Sequence, residues 1–188
     1  MMTKTMFLAA AAAAVLAFPA VAETPIRVAA FDSLELRGGG EVVLRHGAEQ
    51  RVTLISGDPN LASIEVEPDG DLVIRPCRRS CRNQRLVVEV VTPRINAVAI
   101  TGGGSIRAEG RFPARESVAL AVTGGGTLDA RALASDTAVT AVTGGGRIRT
   151  APRETLVAAV RGGGTILYSG DPDKTVAING GGTVTRDR

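Results

Sequence analysis

Val118-Ala119-Leu120-Ala121-Val122-Thr123-Gly124-Gly125-Gly126-Thr127-Leu128 is the stretch on which the reading of the whole chain turns. Apolar side chains at every second position mark a half-buried strand. Three glycines interrupt it, and a second short strand follows. The centre of this phrase is an apolar residue, a polar one, three glycines, one further residue and a second apolar one. It occurs from Leu36 to Val42, Ile100 to Ile106, Val122 to Leu128, Val142 to Ile148, Val160 to Ile166 and Ile178 to Val184. The last five triplets begin at Gly102, Gly124, Gly144, Gly162 and Gly180, a spacing of 18–22 residues.

Polar connections separate the repeats: 109–116, 129–136, 149–154 and 169–174. None has the apolar spacing of a crossover helix, so an all-β chain is predicted. Two architectures fit. Each triplet is a hairpin loop in an antiparallel meander, or each period is one rung of a β-helix with the glycines stacked at one corner. Recurrence of one phrase in one register favours stacking, which places equivalent residues above one another at about 4.8 Å. Glycine at such a corner permits tight bends and close approach of successive backbones. The repeats are clearest over 95–188. Before them the pattern is less regular, with a hairpin at Ile64 to Ile74 around Pro68-Asp69-Gly70. There proline presets the turn and glycine takes the positive φ.

Residues 1–22 are read as a cleaved secretory signal. Lys4 supplies the positive start, Met6 to Ala17 the apolar run, and Ala20-Val21-Ala22 the small-x-small cleavage site. The run is too short for a span of about 20 residues. Residues 23–188 are then a single exported domain that does not span a membrane, periplasmic or secreted. With Lys4 removed, 21 basic residues face 19 acidic ones, a net charge of +2. That balance does not imply a nucleic-acid partner. The aromatics after residue 22 are Phe31, Phe112 and Tyr168, so the core must be built from Val, Leu, Ile and Ala.

The export signal, Phe31-Asp32-Ser33-Leu34 before a first glycine cluster, the Pro68-Asp69-Gly70 hairpin and the glycine-punctuated C-terminal half together resemble the head GIN domain family, labelled as auto-transporter adhesins. The resemblance covers most of residues 26–185. It implies a right-handed stacked β-helical fold in exported bacterial proteins, and no catalytic residues to carry over. Family members often have glycine-serine-glycine where this chain has three glycines. The Cys77 to Arg85 stretch lies outside the family pattern.

Short glycine clusters can cradle phosphates, but no helix and no GKS or GKT sequence follows any triplet. Gly38, Gly39 and Gly40, Gly102, Gly103 and Gly104, Gly124, Gly125 and Gly126, Gly144, Gly145 and Gly146, Gly162, Gly163 and Gly164, and Gly180, Gly181 and Gly182 are therefore read as structural. A calcium ladder would need an aspartate at the place of Asp129 in each repeat, where Arg107, Arg149 and Leu167 stand instead. No metal site and no cofactor is expected.

Cys77 and Cys81 are the only cysteines, and in an exported chain they read as a disulfide. Arg78, Arg79, Arg82 and Arg85 surround them. Guanidinium forks pair with phosphate and carboxylate groups, which makes these four arginines the candidate binding site for an anionic envelope glycan or a surface protein. Catalysis has little support. His46 is the sole histidine, and Asp129, Asp136, Asp171 and Asp173 fall in connections without a recurring partner. A non-enzymatic exported binding module is the leading function, ahead of a scaffold without a ligand and of a glycan-active β-helix enzyme. The charged end Arg186-Asp187-Arg188 predicts a monomer or weak oligomer.

Overall fold

A computed structural model describes residues 23–77 and 85–187. The signal segment expected at 1–22 and the residues Arg78, Arg79, Cys81 and Arg82 lie outside the described residues. The strands in chain order are β1 (Thr24–Ile26), β2 (Ser33–Gly38), β3 (Glu41–His46), β4 (Arg51–Ser56), β5 (Ser63–Val66), β6 (Asp71–Arg75), β7 (Val87–Thr92), β8 (Ala97–Gly102) and β9 (Ser105–Glu109). They continue as β10 (Arg115–Gly124), β11 (Thr127–Asp129), β12 (Ser135–Gly144), β13 (Arg147–Thr150), β14 (Pro152–Arg161), β15 (Thr165–Tyr168), β16 (Asp173–Asn179) and β17 (Thr183–Arg186). Among the described residues there is no helix.

The strands form two sheets. One has the order β1-β4-β7-β3-β9-β11-β13-β15-β17, the other β16-β14-β12-β10-β8-β2-β6-β5. Each glycine phrase carries the chain from the second sheet into the first, so every repeat gives one strand to each. Within each sheet the repeats pair parallel and in register, with Gly38 against Gly102, Gly102 against Gly124 and Gly124 against Gly144. A triplet is thus a passage between sheets, and the hairpin-meander alternative is excluded by the parallel pairing.

The pleat then sorts side chains. Leu36, Ile100, Val122, Val142 and Val160 form one buried column in the second sheet, facing Val42, Ile106, Leu128, Ile148 and Ile166 in the first. Burying each such side chain stabilises by roughly 1.5–3 kcal/mol. Buried residues of both sheets form one continuous cluster. On the side away from the glycines the connections are wider. Phe31, Ile95, Phe112 and Leu133, one for each of four successive connections, are buried there.

The repeats do not stack in chain order throughout. The repeat made by β2 and β3 lies between that of β6–β7 and that of β8–β9, so Leu36 pairs with Ile100 across more than sixty residues of chain. β4 and β5 return antiparallel on β7 and β6, and β1 pairs antiparallel with β4. These strands close one end of the stack. At the other end β16 and β17 have no outer neighbour in either sheet, and all seven residues of β16 are exposed.

Candidate functional site

The candidate arginine loop sits at the glycine corner. Leu36 pairs with Ile74, and Glu41 with Val87. Following the register outward, Pro76 stands against Gly38, where an added Cβ would meet its ring at 3.3 Å. Leu86 stands against Gly40, also at 3.3 Å, and its carbonyl accepts the Glu41 N–H at 2.8 Å. Pro76 and Leu86 therefore flank the place that Gly39 alone fills in the neighbouring repeat, and nine residues separate them in the sequence. One repeat of the stack replaces its glycine corner with a longer loop. Cys77, on its outgoing limb, is not a free thiol. Arg85, on the returning limb, is exposed. The positions of Arg78, Arg79, Cys81 and Arg82 within the loop lie outside the described residues.

The stem of the loop is braced by charge. Arg75, just before Pro76, pairs with Glu65 at 2.9 Å and Glu67 at 2.6 Å. Arg37, just before Gly38, reaches Glu67 with both terminal nitrogens, at 2.9 and 3.2 Å, and Glu35 at 2.6 Å. Thr101 donates to Glu35 at 2.9 Å. The Arg37 hydrogen bond holds the Glu35 carboxyl below its ordinary value against the opposing effect of burial, with help from Thr101. Glu67 is lowered by its hydrogen bonds from Arg75 and then Arg37. The same contacts raise Arg37. This network escaped the sequence reading. Its only signal was the i, i+2 pairing of charges in Glu35-Leu36-Arg37 and Glu65-Val66-Glu67, which puts both members on one strand face.

At three of the other triplets, glycine amides are engaged with the neighbouring repeat. The Gly103 and Gly104 N–H groups donate to the Gly38 carbonyl at 3.0 Å, Gly125 to Gly102 and Gly145 to Gly124 at 3.0 Å. Ser105, Thr127 and Arg147 continue the pattern onto Gly40, Gly104 and Gly126 at 2.9–3.0 Å. Amides engaged with the neighbouring repeat are not aimed at a bound phosphate.

Three of the four connection acids are paired with arginine. Asp129 pairs with Arg131 at 2.6 Å, Asp136 with Arg153 at 3.8 Å and Asp171 with Arg186 at 2.7 Å. Burial works against ionisation of Asp129, but the Arg131 side chain and N–H outweigh it and hold the carboxyl below its ordinary value. His46 meets the buried Phe112 ring edge-on at 5.6 Å. No group of three metal-ligating side chains converges among the described residues. Phe31, Phe112 and Tyr168 are all buried, at 4%, 2% and 9% exposure, so none is free to stack on a sugar.

The family model described as "Putative auto-transporter adhesin, head GIN domain" matches residues 30–117 and 114–172. The chain belongs to the head GIN domain family. Its crystallographic relatives include a protein of Bacteroides fragilis described as "a putative adhesin", 18% identical, covering 88% of this chain and 96% of that one with a TM-score of 0.54. That likeness is one of fold. A Parabacteroides distasonis protein described in the same words is 17% identical over 88% and 96% of the two chains, with a TM-score of 0.43. No curated protein matches the sequence. In this GIN domain no helix among the described residues is long and apolar enough to cross a membrane.

Proposed function

We propose that this chain is an exported, non-enzymatic binding module whose sheets are the walls of a right-handed β-helix, with an envelope glycan bearing clustered phosphates as its ligand. The site is the loop between β6 and β7, pinned by a Cys77–Cys81 disulfide. The observation that carries this reading is the replacement of the glycine corner by a longer loop in one repeat of the stack. Geometry alone would be met by three glycines, as in the repeats that follow. The extra residues include Arg78, Arg79, Arg82 and Arg85, four guanidiniums on a segment short enough to bring them to one compact anion. Membership of an adhesin-labelled family supports a surface role. The burial of every described aromatic supports recognition through guanidinium groups.

The test is retention of the purified protein on lipopolysaccharide and on a neutral glucan across a salt series. Retention on lipopolysaccharide alone, weakened by salt and abolished in an R78A/R79A/R82A/R85A variant, is the expected result. Unchanged retention in the variant would remove the loop from the function. Absence of binding by both proteins would favour a scaffold without a ligand.

A further inference from the structure

The connections on the side away from the glycine corner carry an arginine in each of three successive repeats. Arg111 follows β9, Arg131 follows β11 and Arg153 is the second residue of β14. The strands that flank them are direct neighbours in their sheets, so the three residues come from adjacent layers of the stack. They line one open concavity of about 670 Å³, floored by Phe112, Pro113 and Ala132. A second concavity of about 340 Å³ adjoins it through Gly110 and Arg111 and runs past Glu109 to His46 and to Arg45, which is paired with Glu89 and Glu109. Together they make a groove that follows the stack.

The arginines are held unequally. Arg131 is tied to Asp129 at 2.6 Å and Asp187 at 3.6 Å. Arg153 has Asp136 at 3.8 Å, both side chains being exposed. Arg111 makes no ion pair among the described residues. An exposed pair such as Arg153–Asp136 contributes little to folding, so Arg111 and Arg153 are the cations open to an incoming anion.

We propose that the groove binds an acidic polysaccharide laid along the stack, its carboxylates meeting Arg111 and Arg153 with Arg131 fixed between them. Cations supplied by successive layers match a ligand whose charges repeat along a chain, whereas the four arginines between β6 and β7 fall within eight residues of sequence. Pro113 and Ala132 offer a smooth apolar floor to the C–H faces of sugars. A single-stranded nucleic acid fits less well, because it needs exposed aromatic platforms for its bases and Phe112 is 2% exposed. The proposal is independent of the loop reading, since the two sites lie at opposite ends of the strands.

The experiment measures affinity of the purified protein for polygalacturonate, with dextran as the neutral control. R111A/R153A leaves the better-paired Arg131 in place. It should weaken binding about tenfold or more, as loss of two charge-assisted contacts implies. A114E keeps every arginine and puts a like charge on the exposed floor of the groove, and it should weaken binding similarly. R147A/R161A removes the same net charge at the glycine side and should stay within about twofold of the parent. The loop variant R78A/R79A/R82A/R85A should keep polygalacturonate while losing lipopolysaccharide. An equal loss in R147A/R161A would reduce the effect to net charge and overturn the proposal. So would R111A/R153A and A114E both binding like the parent, or a parent that does not bind.

Discussion

The three glycines of a triplet face three different environments. At Gly124 φ is +113°, and an added Cβ would lie 2.6 Å from the Gly102 carbonyl oxygen, so both conformation and backbone contact exclude a side chain. At Gly126 the obstacle is packing: a Cβ would meet Ile100 Cγ2 at 2.6 Å and the Gly104 carbonyl at 3.0 Å. At Gly125 nothing lies within 4 Å. G124A should therefore destabilise by about 1–3 kcal/mol through strain, and G126A by about 1–3 kcal/mol through overpacking. G125A should be neutral or stabilising by up to about 1 kcal/mol, because it restricts the unfolded chain. Thermal unfolding of the three variants checks the order, and a G125A protein as unstable as G124A would contradict it. The open middle position gives a physical reason why a serine is compatible with the centre of such a triplet. Sequence showed that three glycines recur. Their division of labour depends on what the preceding repeat places beneath each one.

Among elements, β2, β5 and β6 are joined by the network of Arg37, Arg75, Glu35, Glu65 and Glu67. Glu35 and Glu67 are both held below their ordinary values. Their contribution is therefore complete above the ordinary carboxylate range and disappears as pH falls through the lowered folded-state values. Chemical denaturation between about pH 6 and about pH 3 should show a stability advantage of the parent over E35Q/E67Q that closes on acidification. A constant gap across that range would mean the two carboxylates do not report folding. The strands themselves, and the Pro68-Asp69-Gly70 turn with Gly70 at φ +89°, were legible from alternation and turn chemistry. The network was not, because Arg37 and Glu67 are thirty residues apart and meet only after β6 has paired with β2.

For the whole molecule, the two ends of the stack differ. β1, β4 and β5 cover one end with antiparallel strands, while β16 leaves Val176 and Ile178 exposed at 43% and 46%. Their partners on β14, Ala158 and Val160, are each 1% exposed. Such an edge invites pairing with another chain. The terminal charges expected to guard it are partly turned back onto the fold. Asp187 lies 3.6–3.7 Å from Arg131 and Arg149, and Arg186 lies 2.7 Å from Asp171. Lys174 takes the column position of buried Leu156 and lies 5.4 Å over the Tyr168 ring, an inward-pointing charge on the edge strand. K174L should therefore promote concentration-dependent association, read by light scattering against the parent; scattering identical to the parent would show that Lys174 does not guard the edge. The sequence by itself determined the all-β class, the repeat and the membership of the family, because these follow from local periodicity and from a phrase that recurs in one register. The tertiary structure decided the order of the repeats, the placing of Pro76 and Leu86 at the glycine corner, and the meeting of Arg111, Arg131 and Arg153 in one concavity. Each of these depends on pairing between residues distant in the chain, and local periodicity carries no information about which strand lies beside which.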